Sequence, residues 1–243
     1  MVNFDKLFRL VGCDRDEIWS DTLFQLAGSY RFSQVFYSIN VNKQAPFSSA
    51  LVYSNYSPLW LKIYGDAYWN ICPIVKHCMN SNMPLIWEHH TFKTRQELQL
   101  HKIAKVYGLH KGIAFPIHGA YSEFGILNLV LNPAKTAPSQ LELDKMIADW
   151  ALIRDYIFES SKRFAQLKQH DPSEKTLLTR RELECLQLVA EGKSSWDASV
   201  ICKCTEATVN FHLSNIRKKF KVNTRQQAIV KAMQLGLIFP EDS

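Results

Sequence analysis

Thr205-Glu206-Ala207-Thr208-Val209-Asn210-Phe211-His212-Leu213-Ser214-Asn215-Ile216-Arg217-Lys218-Lys219-Phe220 reads as one amphipathic helix with a threonine in N-cap position. When successive residues advance about 100 degrees, Val209, Leu213, Ile216 and Phe220 fall on one stripe, which must be the buried face. Opposite it lie Ala207, Asn210, Phe211, Ser214 and Lys218, small and polar apart from one exposed aromatic, with Arg217, Lys219 and Lys221 at the flanks. A helix of this shape fits the major groove of DNA, where Asn and Ser meet base edges and basic side chains meet phosphates. The expected DNA-facing set is Thr205, Asn210, Phe211, Ser214, Arg217, Lys218, Lys219 and Lys221.

The residues on either side of this helix complete a motif. Upstream, Ser194-Ser195-Trp196-Asp197 can cap a short helix carrying Val200 and Ile201, which breaks at Lys203-Cys204 just before Thr205. Two short helices joined by so tight a turn form a helix-turn-helix. Further upstream, Thr179-Arg180-Arg181-Glu182 is a capping box, Leu183, Leu186 and Ala190 follow at helical spacing, and Gly192 suits a left-handed C-terminal cap. Downstream, Thr224 and Gln227 cap a fourth helix with Ala228, Ile229, Ala232, Met233 and Leu235, ending at Gly236. Its apolar content exceeds what a small domain needs, so a homodimer is expected, on a double-stranded operator built as an inverted repeat.

These strings, with Asn215-Ile216-Arg217-Lys218-Lys219-Phe220 and Leu235-Gly236-Leu237-Ile238, closely resemble the LuxR-type DNA-binding domain. The resemblance implies that the positions of Asn210 and Ser214 reach bases. One departure is Ala198, where the family usually has isoleucine, which predicts looser packing of the second helix.

The rest of the chain follows from length and composition. With 243 residues, 47% hydrophobic and 21% charged, it is an ordinary globular sequence of two-domain length. The net charge of +6 is mild, but between Lys203 and Lys231 the cations Arg217, Lys218, Lys219, Lys221 and Arg225 are opposed only by Glu206. The N-terminus has no signal-peptide stretch and no later run approaches membrane-spanning length, so a cytoplasmic protein without membrane contact is expected. Cysteines 13, 72, 78, 185, 202 and 204 lack a framework spacing, and Cys202-Lys203-Cys204 with His212 does not supply a zinc ligand set, so neither metal nor cofactor is expected. The polar stretch 166–176, with Pro172, reads as a linker between a domain of residues 1–165 and the helix-turn-helix domain of 177–243.

In the first domain, helical patterns enclose strand-like runs at 35–39, 50–53, 112–117 and 124–131, which predicts an α/β fold, an α-β-α sandwich, ahead of the smaller all-α four-helix domain. Tyr56, Trp60, Tyr64, Tyr68, Trp69 and Trp87 concentrate aromatics. A plain aromatic core is the bland alternative, but the polar tips of Tyr and Trp need partners if buried, a combination suited to a pocket for a mostly apolar ligand with a polar head.

Asn55-Tyr56, Trp60, Tyr64, Pro73, His77-Cys78, Ile86-Trp87-Glu88, Gly112, Pro116, His118-Gly119-Ala120 and Gly125 resemble the acyl-homoserine-lactone binding domain of quorum-sensing receptors. The resemblance implies a ligand-responsive transcriptional regulator whose partners are DNA and a small-molecule signal. It also implies that Tyr56 and Trp60 hydrogen-bond the ligand's carbonyls while Tyr64 and Trp87 wall the pocket. Three polar positions depart from the family: Cys72 replaces an aspartate that accepts the ligand's amide hydrogen, Ile74 replaces threonine, and Asn128 replaces serine. The expected signal is thus an acyl-homoserine lactone or a related apolar molecule with altered head-group contacts. The aspartates and lysine of a phosphorylated receiver are missing, and no nucleophile elbow or phosphate loop suggests an enzyme. An orphan regulator that acts without a ligand is the remaining alternative.

Overall fold

In the computed structural model five strands organise the first part of the chain: β1 (Phe32–Asn40), β2 (Leu51–Ser54), β3 (Leu85–Trp87), β4 (Gly112–His118) and β5 (Phe124–Leu131). They pair in the order β2-β1-β5-β4-β3, each pairing antiparallel. The structure describes residues 4–120, 122–169, 178–235 and 237–238.

Strands β4 and β5 are apolar almost residue by residue, and β1 is buried from Val35 to Asn40, because both faces of the sheet are covered. Val35, Tyr37, Ile39, Phe115, Leu127 and Leu129 face one way, onto helices α1 (Phe4–Val11), α2 (Asp16–Ser29) and α6 (Gln140–Gln169), whose Leu7, Trp19, Leu23, Trp150 and Ile157 complete that core. Their neighbours Phe36, Ala114, Ile126 and Val130 face the other way, onto α3 (Pro58–Trp69), α4 (Pro73–Asn80) and α5 (Arg95–Val106). This alternation is the period of two along a strand, and it builds the expected α-β-α sandwich. All four strand-like runs seen in the sequence are strands. The fifth, β3, has only three residues and is held by pairing Leu85, Ile86 and Trp87 with Ala114, Ile113 and Gly112.

The chain divides into two compact units, Met1–Gln169 and His170–Ser243. Residues 166–169 of the stretch read as a linker belong to α6, and 170–176 lie outside the described residues.

The second unit contains α7 (Arg180–Ala190), α8 (Ser195–Ile201), α9 (Glu206–Phe220) and α10 (Arg225–Gln234). Each begins where a local signal places it: Thr179 with Glu182, Ser194 with Asp197 and Thr224 with Gln227 form reciprocal capping boxes, and Thr205 accepts from the Thr208 amide. Gly192 (φ +84°) ends α7 in the left-handed conformation. Lys203 (φ 53°) makes the sharp turn between α8 and α9. Val209, Leu213, Ile216 and Phe220 are buried together with Leu186, Val189, Ala198, Ala228 and Ala232. Ala198 is fully enclosed. Helix α10 buries more of its apolar surface than the sequence suggests: Ile229 and Met233 are half-buried against the domain's own core, and Val230 is left exposed. Gly236, expected as its terminator, lies outside the described residues.

Candidate ligand cavity and DNA-reading helix

Tyr56, Trp60, Tyr64, Cys72, Ile74, Trp87 and Asn128, the residues singled out in the sequence, all line one cavity between the sheet and helices α3 to α5. Tyr56 follows β2, and Trp60 and Tyr64 stand one turn apart on α3 with ring centroids 5.4 Å from each other. Gly65, at φ 31°, kinks α3 after Tyr64. Cys72 is the N-cap of α4, with Pro73 opening the helix. Asn128 projects from β5 in register with Phe36 of β1 and Ala114 of β4, which places it on the cavity face of the sheet.

A chain of hydrogen bonds links three of these side chains. The Trp87 indole donates to Asn128 Oδ1 at 2.6 Å, and Asn128 Nδ2 donates to the Tyr56 hydroxyl oxygen at 3.2 Å. Because an indole N–H can only donate, the atom facing it must be the amide oxygen, which settles which way Asn128 points. Tyr56 therefore uses its oxygen on Asn128, and its own hydrogen is not spent on that bond. Gly112 makes room for this arrangement: a Cβ there would lie 2.2 Å from the Leu129 carbonyl and 2.8 Å from the Trp87 ring.

The cavity is electrically neutral. Burial pushes the Tyr56 and Tyr64 hydroxyls well above their ordinary value, reinforced by the proximity of Cys72. Burial also raises the Cys72 thiol, against the opposing influence of the Tyr64 hydroxyl and the Val75 and Ile74 amides, and pushes neighbouring Cys78 up to about 12. Burial lowers His101, so its imidazole is uncharged at neutral pH. Such a site suits an uncharged ligand, because no fixed charge offsets the desolvation of a second one.

The sequence reading missed Phe36, Phe92, Leu100, His101, Ala104 and Leu109, which close the cavity. The signal for three of them was present: Thr94 and Glu97 form a capping box that starts α5, and Leu100, His101 and Ala104 then share one helical face. His101 stacks flat on Phe92, with centroids 4.3 Å apart.

On the second unit, α9 presents Asn210, Phe211 and Lys218 to solvent, with Ser214 and Arg217 half-buried at the edge of that face. Asn210 Oδ1 accepts a hydrogen bond from Ser195 Oγ at 2.9 Å, tying the α9 face to the start of α8. Arg217, Lys218 and Lys221 surround an open hollow with Ser214 and Asn223. Lys221 sits in the left-handed conformation at the α9 C-cap. Thr205 is committed to capping and also contacts the Thr208 hydroxyl at 2.8 Å. Lys219, placed with the phosphate-binding cations from sequence, turns instead to the buried carboxylate of Glu182 at 2.6 Å. Burial would raise that carboxylate, but Lys219 and the Thr179 amide and hydroxyl hold it below its ordinary value.

Among the described residues no group of three or more His, Cys, Asp or Glu could hold a metal ion, and no helix is long and apolar enough to cross a membrane.

Comparison with known proteins agrees with both halves of this geometry. The autoinducer binding domain model matches residues 14–160, and the model for bacterial regulatory proteins of the luxR family matches residues 176–232. The transcriptional activator AhyR of Aeromonas hydrophila is 33% identical over 219 residues, spanning 87% of this chain and 80% of that protein. The transcriptional activator LuxR of Aliivibrio fischeri is 33% identical over 190 residues, 77% of this chain and 74% of that one. The crystal structure of Escherichia coli SdiA superposes with a TM-score of 0.66 at 24% identity, covering 97% of each chain, and shows the same fold. The relatives are transcriptional regulators. This chain belongs to the LuxR family of quorum-sensing transcriptional regulators, with an autoinducer-binding domain followed by a LuxR-type helix-turn-helix domain.

Proposed function

We propose that a small, uncharged, mostly apolar acyl signal of the acyl-homoserine-lactone type fills the aromatic cavity, and that its binding governs whether a homodimer engages an inverted-repeat operator through α9. The observation that carries this reading is the Trp87–Asn128–Tyr56 chain, which ends in a cavity-lining hydroxyl whose own hydrogen that chain leaves unspent. Trp60 adds an indole N–H beside it, so two donors stand ready for ligand carbonyls. No cofactor besides the signal is needed, and the protein acts in the cytoplasm, where its DNA lies. On the DNA side, Asn210 and Ser214 read bases while Arg217, Lys218 and Lys221 meet phosphates. Lys219 joins them only by giving up Glu182. Dimerisation rests on the small footprint of one such domain and on the exposed Val230 of α10.

The test is thermal denaturation of the full chain with acyl lactones, beside footprinting on operator DNA. A ligand that binds only the folded state at a hundred times its Kd stabilises by about 2.7 kcal/mol. A rise in Tm that tracks ligand concentration, with a footprint of two half-sites, is expected. Unchanged melting in every lactone, or full-affinity protection of one half-site, refutes the respective half of the reading.

A further inference from the structure

Building on the cavity reading above, we infer that this receptor selects an acyl signal whose linkage carries carbonyl acceptors but no N–H, an ester or ketone in place of the secondary amide of an acyl-homoserine lactone. The argument is an inventory of donors and acceptors on the cavity side chains. Trp60 and Trp87 can only donate. Asn128 Oδ1 takes the Trp87 hydrogen on one of its two lone pairs, and Nδ2 donates one hydrogen to Tyr56. Tyr56 accepts that bond and so faces the ligand as a donor, its O–H polarised by the chain behind it.

The remaining acceptors are weak. Tyr64 and Cys72 both line the cavity, and they offer only a phenol oxygen and a weakly accepting thiol. His101 Nε2 faces the His110 carbonyl at 3.3 Å, which can only accept, so this nitrogen carries the proton. Its Nδ1 is then the acceptor toward His89 Nδ1 at 3.4 Å. The cavity side chains thus offer a ligand several hydrogens to accept and, for a hydrogen of its own, only the second lone pair of Asn128 Oδ1, whose first already takes the Trp87 hydrogen. An amide N–H placed away from that lone pair gives up its water and finds no strong partner, a loss corresponding to roughly tenfold or more in affinity. An ester oxygen or a methylene at the same position brings no such donor.

The experiment is calorimetric titration of the full chain with three matched ligands at each acyl length: an acyl-homoserine lactone, the same molecule with oxygen in place of N–H, and the same molecule with CH2 there. The ester and ketone are expected to bind about tenfold or more tighter than the amide. In Cys72→Asp the order reverses, because a carboxylate restores a strong acceptor at the α4 N-cap. If the amide binds as tightly as both analogues, the inference is overturned while the cavity remains the ligand site, Asn128 Oδ1 then accepting a second hydrogen. If none of the three binds at any length, the acyl-lactone reading falls as well. Should Cys72→Asp fail to fold, the wild-type ranking decides alone.

Discussion

Replacing Asn128 by leucine tests the polar chain at its centre. The side chains are similar in size, so the change removes both hydrogen bonds while leaving packing between Phe36 and Ala114 nearly filled. Trp87 is 2% exposed, and its indole N–H loses the oxygen 2.6 Å away. A buried donor left unpaired costs about 1–3 kcal/mol, part of which the added apolar burial offsets, leaving roughly 1–2 kcal/mol. For a unit of this size each kcal/mol moves Tm by about 2–4 °C, so the ligand-free transition of the first unit should fall by roughly 2–8 °C. Because Tyr56 also loses the amide that fixes its oxygen, signal affinity should drop about tenfold on top of that loss. Scanning calorimetry with and without the signal separates the two effects. An unchanged or higher ligand-free Tm in Asn128→Leu would show that Trp87 does not depend on Asn128, and the donor inventory of the cavity would have to be redrawn.

Three further outcomes follow from particular contacts. Gly112→Ala drives a methyl into the Leu129 carbonyl and the Trp87 ring; the first unit should lose several degrees of Tm together with signal binding, and a wild-type melt would contradict that packing. Asn210→Ala should cost about 1–3 kcal/mol on the operator and little on random DNA, as read by competition binding, whereas equal losses on both would remove Asn210 from base reading. Glu182→Gln should destabilise the second unit by about 1–2 kcal/mol at neutral pH, at the low end for a buried pair because Lys219 is 38% exposed. The folded-state carboxyl lies below its ordinary value of 4.5, so its contribution is present above that pH and is lost as pH falls below it. The gap between wild type and Glu182→Gln should therefore narrow in acid; a gap that stays constant refutes the assignment.

The two units differ in how much of them could be read in advance. In the helix-turn-helix unit nearly every boundary has a local cause, such as Thr179 with Glu182, Ser194 with Asp197 or Thr224 with Gln227, so a reading confined to neighbours finds the elements. In the first unit the long apolar runs announced β1, β4 and β5. Strand β3 was invisible because three residues carry no measurable period, and it exists through its pairing with β4. The aromatic cavity residues were found as a chemical group with polar tips, and Cys72, Ile74 and Asn128 only through the family resemblance, while Leu100, His101 and Ala104 looked like any amphipathic helix face.

The sequence by itself determined the two units, the helix that faces DNA, the sandwich and the aromatic cluster, since these follow from periodicity, capping and composition, all properties of residues close along the chain. Only the tertiary structure decided which polar groups are spent on the protein and which are left for a partner. Lys219 meets Glu182 across 37 residues of chain, an ion pair that its place on the helix does not announce. Asn128 meets Trp87 across 41 residues, so one of its carbonyl's two lone pairs is taken before any ligand arrives. A hydrogen bond or ion pair depends on separations of about 3 Å and on direction, and spacing along a chain cannot specify either between segments that the fold alone brings together.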